Sequence, residues 1–273
     1  MNLNQLEKNI ISKRTFLCLG LDTDINKIPK HLLSHEDPVF QFNKSLVDKL
    51  FNKIAAVKIN TAFYEARGID GWNSLEKTIK YIRDNYPNLF TIADAKRADI
   101  GNTSKMYARA FFNNMNFDAV TIAPYMGKDS VSPFLDYSEK WAIILALTSN
   151  EGSLDFQNIK DIHGKEFFKH VLSSAQNWGS DQNSMFVIGA TQAEKMLEVR
   201  KIVPNHFLLV PGVGAQGGNL QEIAKYGMNA YCGLLVNSSR GIIYASSEKD
   251  FAEKAALEAQ KLQREMADLL LSI

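Results

Sequence analysis

Short apolar runs alternate along the chain with longer stretches in which apolar residues recur at helical spacing. Each run has the length of a buried strand, and most runs are rich in Val, Ile, Leu or Phe. The runs span residues 16–21, 56–59, 90–93, 119–122, 142–147, 185–189, 207–210 and 232–236. The pattern therefore predicts eight strands that are buried on both faces.

The stretches between these runs have the periodicity of amphipathic helices. They cover residues 39–53, 71–85, 103–114, 164–178, 191–202, 220–226 and 248–271. Strands that alternate with helices form parallel sheets, and this many units favour an α/β fold of the (β/α)8 TIM barrel type, which needs about 250 residues. We expect one catalytic domain, residues 1–273. An open doubly wound sheet is the alternative, but no G-x-G-x-x-G segment follows the first run.

Polar residues and turn formers gather where the predicted strands end. They follow strands one, two, three, five, seven and eight: Asp22, Lys58, Asn60, Asp94, Lys96, Thr148, Ser149, Pro211, Gly212, Asn237, Ser238 and Ser239. The sequence has no comparable cluster at the strand beginnings. Because enzymes of this fold carry their chemistry at the carboxyl ends of the strands, we expect one functional site at that mouth.

The strongest local pattern is the charged segment 94–101. Residues i and i+2 of a strand point to the same side, so Asp94 and Lys96 are expected to face the mouth together. With Lys58 from the neighbouring strand and Asp99 beyond the turn, they form an alternating array of charges. Opposite charges on both sides favour a protonated lysine, which argues against a Schiff base at Lys96. A structural ion pair, with Asp99 capping the next helix, is the alternative.

A second pattern follows strands seven and eight, where barrel enzymes often bind phosphate. The glycine-rich segment 212–218 allows the backbone to approach an anion closely, and Gln216 can donate from its amide. Arg240 can donate two parallel hydrogen bonds to phosphate oxygens. A tight turn is the alternative for the glycines alone. The paired loop with Arg240 favours a phosphate site.

Composition narrows the possible partners. The net charge is +1, with 45% apolar and 22% charged residues, so the whole chain has no bias toward nucleic acid or anionic membranes. The two cysteines, Cys18 and Cys232, lack metal-type spacing and make a poor disulfide framework, which is typical of a reducing cytoplasm. Residues 1–14 contain no signal-like apolar core, and no apolar stretch approaches the roughly 20 residues of a membrane span.

Taken together, these motifs resemble the orotidine 5'-monophosphate decarboxylase family. Residues 94–99 are similar to its D-x-K-x-x-D signature, and the likeness there extends over residues 91–103. Other segments resemble the family's motifs on strands one, two, seven and eight: 19–22, 57–60, 210–218 and 237–242. The likeness covers residues 16–245 in the family's order, and the chain resembles the longer bacterial subgroup.

The resemblance implies decarboxylation of orotidine 5'-monophosphate to uridine 5'-monophosphate, the last step of de novo pyrimidine synthesis, without metal or organic cofactor. Lys96 would stabilise the carbanion at carbon 6 and donate the proton, positioned by Asp94 and Asp99, with Lys58 as the remaining catalytic residue. The resemblance also implies a homodimer with shared sites, in which Asp99, Ile100 and Thr103 serve the partner's site. The implied substrate contacts are Asp22, Lys58, Ile100, Thr103, Thr148, Ser149, Pro211, Gln216, Ser239 and Arg240.

Several alternatives stay open at this point. Thr148, Ser149 and Asn150 each offer a group that can contact the base, and the loop 150–163 is either an active-site lid or a surface insertion. A keto-gulonate-phosphate decarboxylase or hexulose-phosphate synthase would be similar around the signature but uses magnesium. Its second strand supplies a carboxylate ligand, whereas Lys58 would repel a cation. A non-catalytic nucleotide-binding barrel and an aldolase-type Schiff-base enzyme are the other rivals.

Overall fold

A closed barrel of parallel strands forms the centre of the protein, in a computed structural model that describes residues 1–213 and 218–272. Each strand pairs with the next along the chain, and the last pairs with the first. The strands within the described residues are β1 (Leu17–Gly20), β2 (Ala56–Asn60), β3 (Phe90–Arg97), β4 (Ala119–Ile122), β5 (Trp141–Leu147), β6 (Ser184–Ile188), β7 (Phe207–Pro211) and β8 (Leu234–Ser238). The predicted (β/α)8 TIM barrel is confirmed.

Helices surround this barrel. The α-helices in the described part of the chain are α1 (Leu3–Lys13), α2 (Pro38–Leu50), α3 (Ala62–Glu65), α4 (Gly68–Asn85), α5 (Gly101–Arg109), α6 (Lys128–Leu135), α7 (Phe167–Ala175), α8 (Met196–Ile202), α9 (Leu220–Gly227), α10 (Arg240–Ile243) and α11 (Phe251–Leu269). Shorter 3-10 helices cover Lys30–Ser34, Glu151–Asp155, Ala190–Lys195 and Leu270–Ser272, and a π-helical turn covers Ala110–Asn114.

Local capping explains where several helices begin. The side chain of Asn2 accepts the N–H of Gln5, and the N–H of Asn2 donates to the side-chain oxygen of Gln5, a capping box that starts α1. Asp37 accepts the N–H of Phe40 ahead of α2, whose first residue is Pro38, a good residue for that position. The periodicity did not predict α1, since few of its residues are buried. It also missed α6, which contains a proline at an interior position.

The eighth strand starts later than its apolar run. Cys232 and Gly233 have φ angles of +73° and +64°, so they form a turn ahead of β8 and the strand runs from Leu234 to Ser238. The third strand is longer than predicted, because β3 continues through the charged segment to Arg97. Both differences move polar residues onto strands at the mouth of the barrel.

The two ends of the barrel differ in character. Near the strand beginnings, the fully buried Asp118 accepts from the N–H and the hydroxyl of Thr91, both at 2.9 Å, and pairs with Arg83 at 2.8 Å. Asp118 thus links Thr91, Arg83 and the N-terminal ammonium group, which indicates a role in stability at this end. Between the ends, inward side chains of the strands form a continuous apolar core. Among the described helices, none has the length and apolar character needed to cross a bilayer.

Candidate active site

A cavity of about 480 Å³ opens at the carboxyl ends of the strands. Most of the predicted site residues line it: Asp22, Lys58, Asp94, Lys96, Thr148, Ser149, Pro211, Ser239 and Arg240. Asp99, Ile100 and Thr103 do not line it. Gln216 lies outside the described residues. One cavity therefore collects polar groups that are far apart in the sequence.

Alternating charges cross the floor of this cavity. The Nζ atom of Lys58 lies 3.2 Å from Asp22 Oδ1 and 3.0 Å from Asp94 Oδ2. The other oxygen of Asp94, Oδ1, lies 2.7 Å from Lys96 Nζ. We define these side chains, Asp22, Lys58, Asp94 and Lys96, as the charge array. The array expected from the sequence ended in Asp99, but within one subunit its fourth member is Asp22.

The inner pair of the charge array is fixed in its charged form. Burial by itself lowers the pKa of Lys58, but the nearby carboxylates of Asp94 and Asp22 outweigh it and raise that pKa above its usual value. Burial raises the pKa of Asp94, and the two ammonium groups outweigh it, so that this pKa is lowered. Lys58 is only 4% exposed, whereas Lys96 is 49% exposed. Lys96 is thus the more exposed of the two cations in the array.

The backbone of Lys96 is unusual. Its φ of +47° lies in the left-handed region, which is uncommon for residues other than glycine, and strained backbone of this kind is enriched at active sites. The pairing of β3 with β4 shifts register between Ala93 and Arg97. The expected strand alternation is therefore wrong at this point. A local irregularity of the strand, and not its regular pleat, brings Lys96 to Asp94.

Thr121 on β4 holds this irregular segment, and the sequence reasoning did not single it out. Its hydroxyl accepts the backbone N–H of Lys96 at 2.9 Å and donates to Asp94 Oδ1 at 2.9 Å. The side chain is almost fully buried. A threonine within an otherwise apolar strand is the signal that could have identified it.

A loop residue braces the wall that follows β5. The amide of Gln157 accepts the N–H of Thr148 at 2.7 Å and donates to its hydroxyl at 2.9 Å. Thr148 Oγ1 also lies 2.6 Å from Asn150 Oδ1. The hydroxyl of Thr148 is thus engaged within the protein, which shapes the wall. Sequence reasoning missed Gln157, because only the fold brings its loop back to β5.

A glycine after β6 supports the same wall. A Cβ atom on Gly189 would lie 2.6 Å from the backbone nitrogen of Ser149, so any side chain there would displace Ser149. Ser149 is thereby held against the end of β6. The sequence carries no specific signal for this contact.

The loops after β7 and β8 form the opposite wall. Gly212 has a φ of +103°, a conformation that favours glycine, and lines the cavity beside Pro211. Arg240 is exposed at the rim and forms no ion pair with the described residues. Its guanidinium is therefore available to an anion. Ser239 donates its hydroxyl to the carbonyl of Gly20 at 3.0 Å, which ties this wall to β1.

The remaining predicted residues lie at the start of α5, away from the cavity of their own subunit. Asp99 Oδ1 accepts the N–H of Ile100 at 2.7 Å, and Ile100 is 60% exposed. Thr103 is exposed in the first turn of α5. These side chains can contact a molecule bound in such a cavity only if the cavity belongs to a second copy of the chain or if the loop rearranges.

The side chains of the cavity do not suit a divalent metal ion. Among the described residues, no group of three or more His, Cys, Asp or Glu side chains is arranged to hold a metal ion. Lys58 Nζ occupies the position between Asp22 and Asp94 at which a bridging cation would lie. The donor set thus fits an ammonium group and not a divalent metal.

Comparison with known proteins gives a consistent result. Residues 15–255 match the model of the orotidine 5'-phosphate decarboxylase / HUMPS family. The chain is 58% identical over 270 residues to an orotidine 5'-phosphate decarboxylase of Phocaeicola vulgatus, covering 99% of each chain. It is 57% identical over 273 residues to one of Bacteroides fragilis, covering 100% of each. The structure of Leishmania donovani OMP decarboxylase superposes with a TM-score of 0.80 at 31% identity, covering 97% of this chain and 99% of that one.

Proposed function

The chain belongs to the orotidine 5'-phosphate decarboxylase / HUMPS family, and we propose that it decarboxylates orotidine 5'-monophosphate to uridine 5'-monophosphate in pyrimidine biosynthesis. The observation that carries this proposal is the charge array, which ends in its more exposed cation, Lys96, at the cavity. We further propose that residues 1–273 form one catalytic domain that needs neither a metal nor an organic cofactor.

The chemistry requires stabilisation of an anion that has little resonance relief. When the bond from carbon 6 to the carboxylate breaks, carbon dioxide leaves and the electron pair remains on carbon 6. An ammonium group already in place lowers the energy of that charge without reorganisation during the reaction. Lys96 then transfers a proton from Nζ to carbon 6 and recovers one from water. Asp94 keeps this ammonium group in position through the 2.7 Å contact.

The walls of the cavity supply the substrate contacts in this proposal. Arg240 and Ser239 bind the phosphate, which is remote from the bond that breaks, and the sequence motif adds Gln216, which lies outside the described residues. Binding energy there can be used to hold the ring in its reactive position. Lys58 donates to two carboxylates and retains a third N–H for a ribose hydroxyl. Asp22 shares that side of the cavity.

The pyrimidine is proposed to lie against the wall after β5, which includes Thr148 and Ser149, with Pro211 on the opposite side. Because the hydroxyl of Thr148 is engaged by Gln157, its contribution is to the shape of the wall. Ser149 is the residue of this wall that we assign to the edge of the base.

We propose a homodimer whose sites are shared, with Asp99, Ile100 and Thr103 reaching the partner's cavity. Two observations support it. These residues lie outside their own cavity, and exposed apolar side chains lie on the segments that follow β3 and β4. Ile100 and Met106, the latter in α5, follow β3, and Tyr125 and Met126 follow β4. Cys18 and Cys232 are buried and free of disulfides, which supports the expected reducing cytoplasm.

A direct assay tests the proposal. Purified protein in excess chelator should consume orotidine 5'-monophosphate and release one carbon dioxide for each molecule of uridine 5'-monophosphate formed. Lys96→Ala should lower kcat by at least about 1000-fold, since it removes both the proton donor and the stabilising charge. Its affinity for uridine 5'-monophosphate should change little. Near-normal turnover in this variant would refute the assignment of Lys96.

The rivals predict different outcomes of the same assay. A magnesium-dependent sugar-phosphate enzyme would lose activity in chelator and regain it with magnesium. A non-catalytic barrel would bind uridine 5'-monophosphate without releasing carbon dioxide. An aldolase-type enzyme would be trapped covalently by borohydride in the presence of substrate.

A further inference from the structure

The hydroxyl of Tyr244 joins two separate walls of the cavity. Tyr244 follows α10, the short helix that begins at Arg240, and its N–H donates to the Arg240 carbonyl at 3.2 Å. Its hydroxyl accepts the N–H of Asp24 at 2.7 Å and donates to the carbonyl of Asp22 at 3.2 Å. One side chain on the loop after β8 therefore fixes the backbone of the loop after β1.

The ring of Tyr244 is itself held firmly. It stacks on Phe42 of α2 with the ring centroids 6.0 Å apart and an angle of 19° between the planes. Phe42 is fully buried. Burial raises the pKa of Tyr244, so its hydroxyl keeps the proton that it donates to Asp22. The two hydrogen bonds are thus made by a side chain with little freedom to move.

A second contact joins the same two walls. Ser239 donates to the carbonyl of Gly20 at 3.0 Å, and a Cβ atom on Gly20 would lie only 2.7 Å from Ser239 Cβ. Arg240 lies between Ser239 and Tyr244 in the sequence. The segment 239–244, which carries Arg240, is therefore attached to the β1 side of the cavity at both of its ends.

A continuous line of polar contacts leads from that attachment to the reactive lysine. Asp22, whose carbonyl is held by Tyr244, places its carboxylate 3.2 Å from Lys58 Nζ. Lys58 in turn lies 3.0 Å from Asp94, which lies 2.7 Å from Lys96. Each step joins groups that are within hydrogen-bonding distance.

We propose that Tyr244 is a positioning residue that couples the phosphate-binding segment to the charge array through Asp22. The inference rests on the proposed function, because it takes the anion at Arg240 to be the phosphate of the substrate. A phosphate held by Arg240 restrains α10, and α10 restrains Asp22 through the tyrosine hydroxyl. Binding energy from a remote group then serves the chemical step and not affinity alone.

Tyr244→Phe tests the coupling, since it removes both hydrogen bonds and keeps the ring on Phe42. We expect kcat to fall by about tenfold, and KM for orotidine 5'-monophosphate to change by less than about threefold. Tyr137→Phe, at the end of α6 and away from the cavity, is the matched control and should retain wild-type constants. A single cooperative thermal transition, well above the assay temperature in all three proteins, would show that the fold is intact.

A double-mutant cycle on kcat tests the coupling between Tyr244 and Arg240 directly. In the Arg240→Ala background the segment no longer transmits the phosphate contact, so Tyr244→Phe should lower kcat by less than about twofold. The same loss of kcat in both backgrounds would overturn the coupling. So would a rise in KM alone, which would mean that Tyr244 merely supports Arg240. Either result, with wild-type protein still decarboxylating its substrate, would leave the proposed function standing.

Discussion

The backbone N–H of Lys96 is hydrogen-bonded to the side-chain hydroxyl of Thr121 at 2.9 Å. The bond joins β4 to Lys96, the residue of β3 that has a positive φ. Because the same hydroxyl donates to Asp94, one threonine fixes both the backbone of the lysine and the carboxylate that pairs with it. A strained backbone conformation persists only where surrounding contacts hold it in place, and the hydrogen bond to Thr121 is one of those contacts.

Replacement of this threonine should damage turnover more than binding. Thr121→Val keeps the shape but leaves the N–H of Lys96 without its acceptor, which should cost about 1–3 kcal/mol of unfolding free energy. We expect kcat to fall by about 10- to 100-fold with KM nearly unchanged, as measured by urea unfolding and steady-state kinetics. Thr121→Ser, which retains the hydroxyl, should recover most of the activity. A valine variant with the wild-type kcat would show that Lys96 does not depend on Thr121.

The barrel could be predicted because its information is local. Each strand is buried on both faces, so an apolar run marks it without reference to the rest of the chain. The charge array was predicted in part for the same reason, since Asp94 and Lys96 are close in sequence and follow such a run. The positive φ of Lys96 could not be predicted, because it depends on the register shift between β3 and β4.

The supporting residues escaped prediction for a different reason. Thr121 and Gln157 act through contacts with residues 25 and 9 positions away, and neither stands in a recognisable motif. Asp22 was predicted to contact the substrate, but its contact with Lys58 depends on the pairing of β1 with β2. Side-chain contacts between strands follow from the fold, so the sequence alone does not specify them.

The buried pair of Asp94 and Lys58 should give stability a defined dependence on pH. The pKa of Asp94 is lowered in the folded protein, so its contribution is complete above about pH 4, the ordinary range of a carboxyl, and is lost as pH falls further. The pKa of Lys58 is raised, so its contribution is complete below about pH 10 and is lost above it. Between about pH 5 and 9 the contribution of the pair should be constant.

Asp94→Asn isolates this contribution. The variant should be less stable than the wild type by about 3 kcal/mol at pH 7, because it leaves the buried ammonium of Lys58 with Asp22 as its remaining carboxylate partner. The difference in unfolding free energy should shrink as the pH falls below about 4, because the carboxyl of Asp94 then binds a proton in the unfolded wild type while it stays ionised in the folded protein. Asp84→Asn removes an exposed ion pair with Lys80 and should change stability little at any pH. A gap between Asp94→Asn and wild type that stays constant down to pH 2 would contradict the assignment.

Gln157 should affect substrate binding more than chemistry. Gln157→Leu removes both contacts with Thr148, which frees the wall after β5. We expect KM for orotidine 5'-monophosphate to rise by about tenfold, with a smaller loss of kcat because the charge array is untouched. Gln157→Glu keeps the acceptor for the N–H of Thr148 and should be intermediate. Gln260→Ala on α11 is the control, and unchanged kinetics of the leucine variant would mark the loop 150–163 as a surface insertion.

Subunit mixing tests whether the sites are shared. Lys96→Ala and Asp99→Asn proteins should each be nearly inactive alone. In an equal mixture that exchanges freely, half of the dimers are mixed, and each mixed dimer has one site with both Lys96 and the partner's Asp99 intact. The mixture should therefore recover roughly a quarter of the wild-type activity.

A second mixture makes the result specific. Lys96 and Asp94 belong to the same cavity, so a dimer of Lys96→Ala with Asp94→Asn carries one defect in each of its sites. That mixture should remain inactive, whereas simple stabilisation by association would raise both mixtures alike. Recovery in the Asp99 mixture alone would place Asp99 in the partner's site. That result agrees with the position of Asp99 outside the cavity of its own subunit. Verified mixed dimers without recovered activity would confine the site to one subunit and leave Lys96 with Asp94 as its only acidic partner.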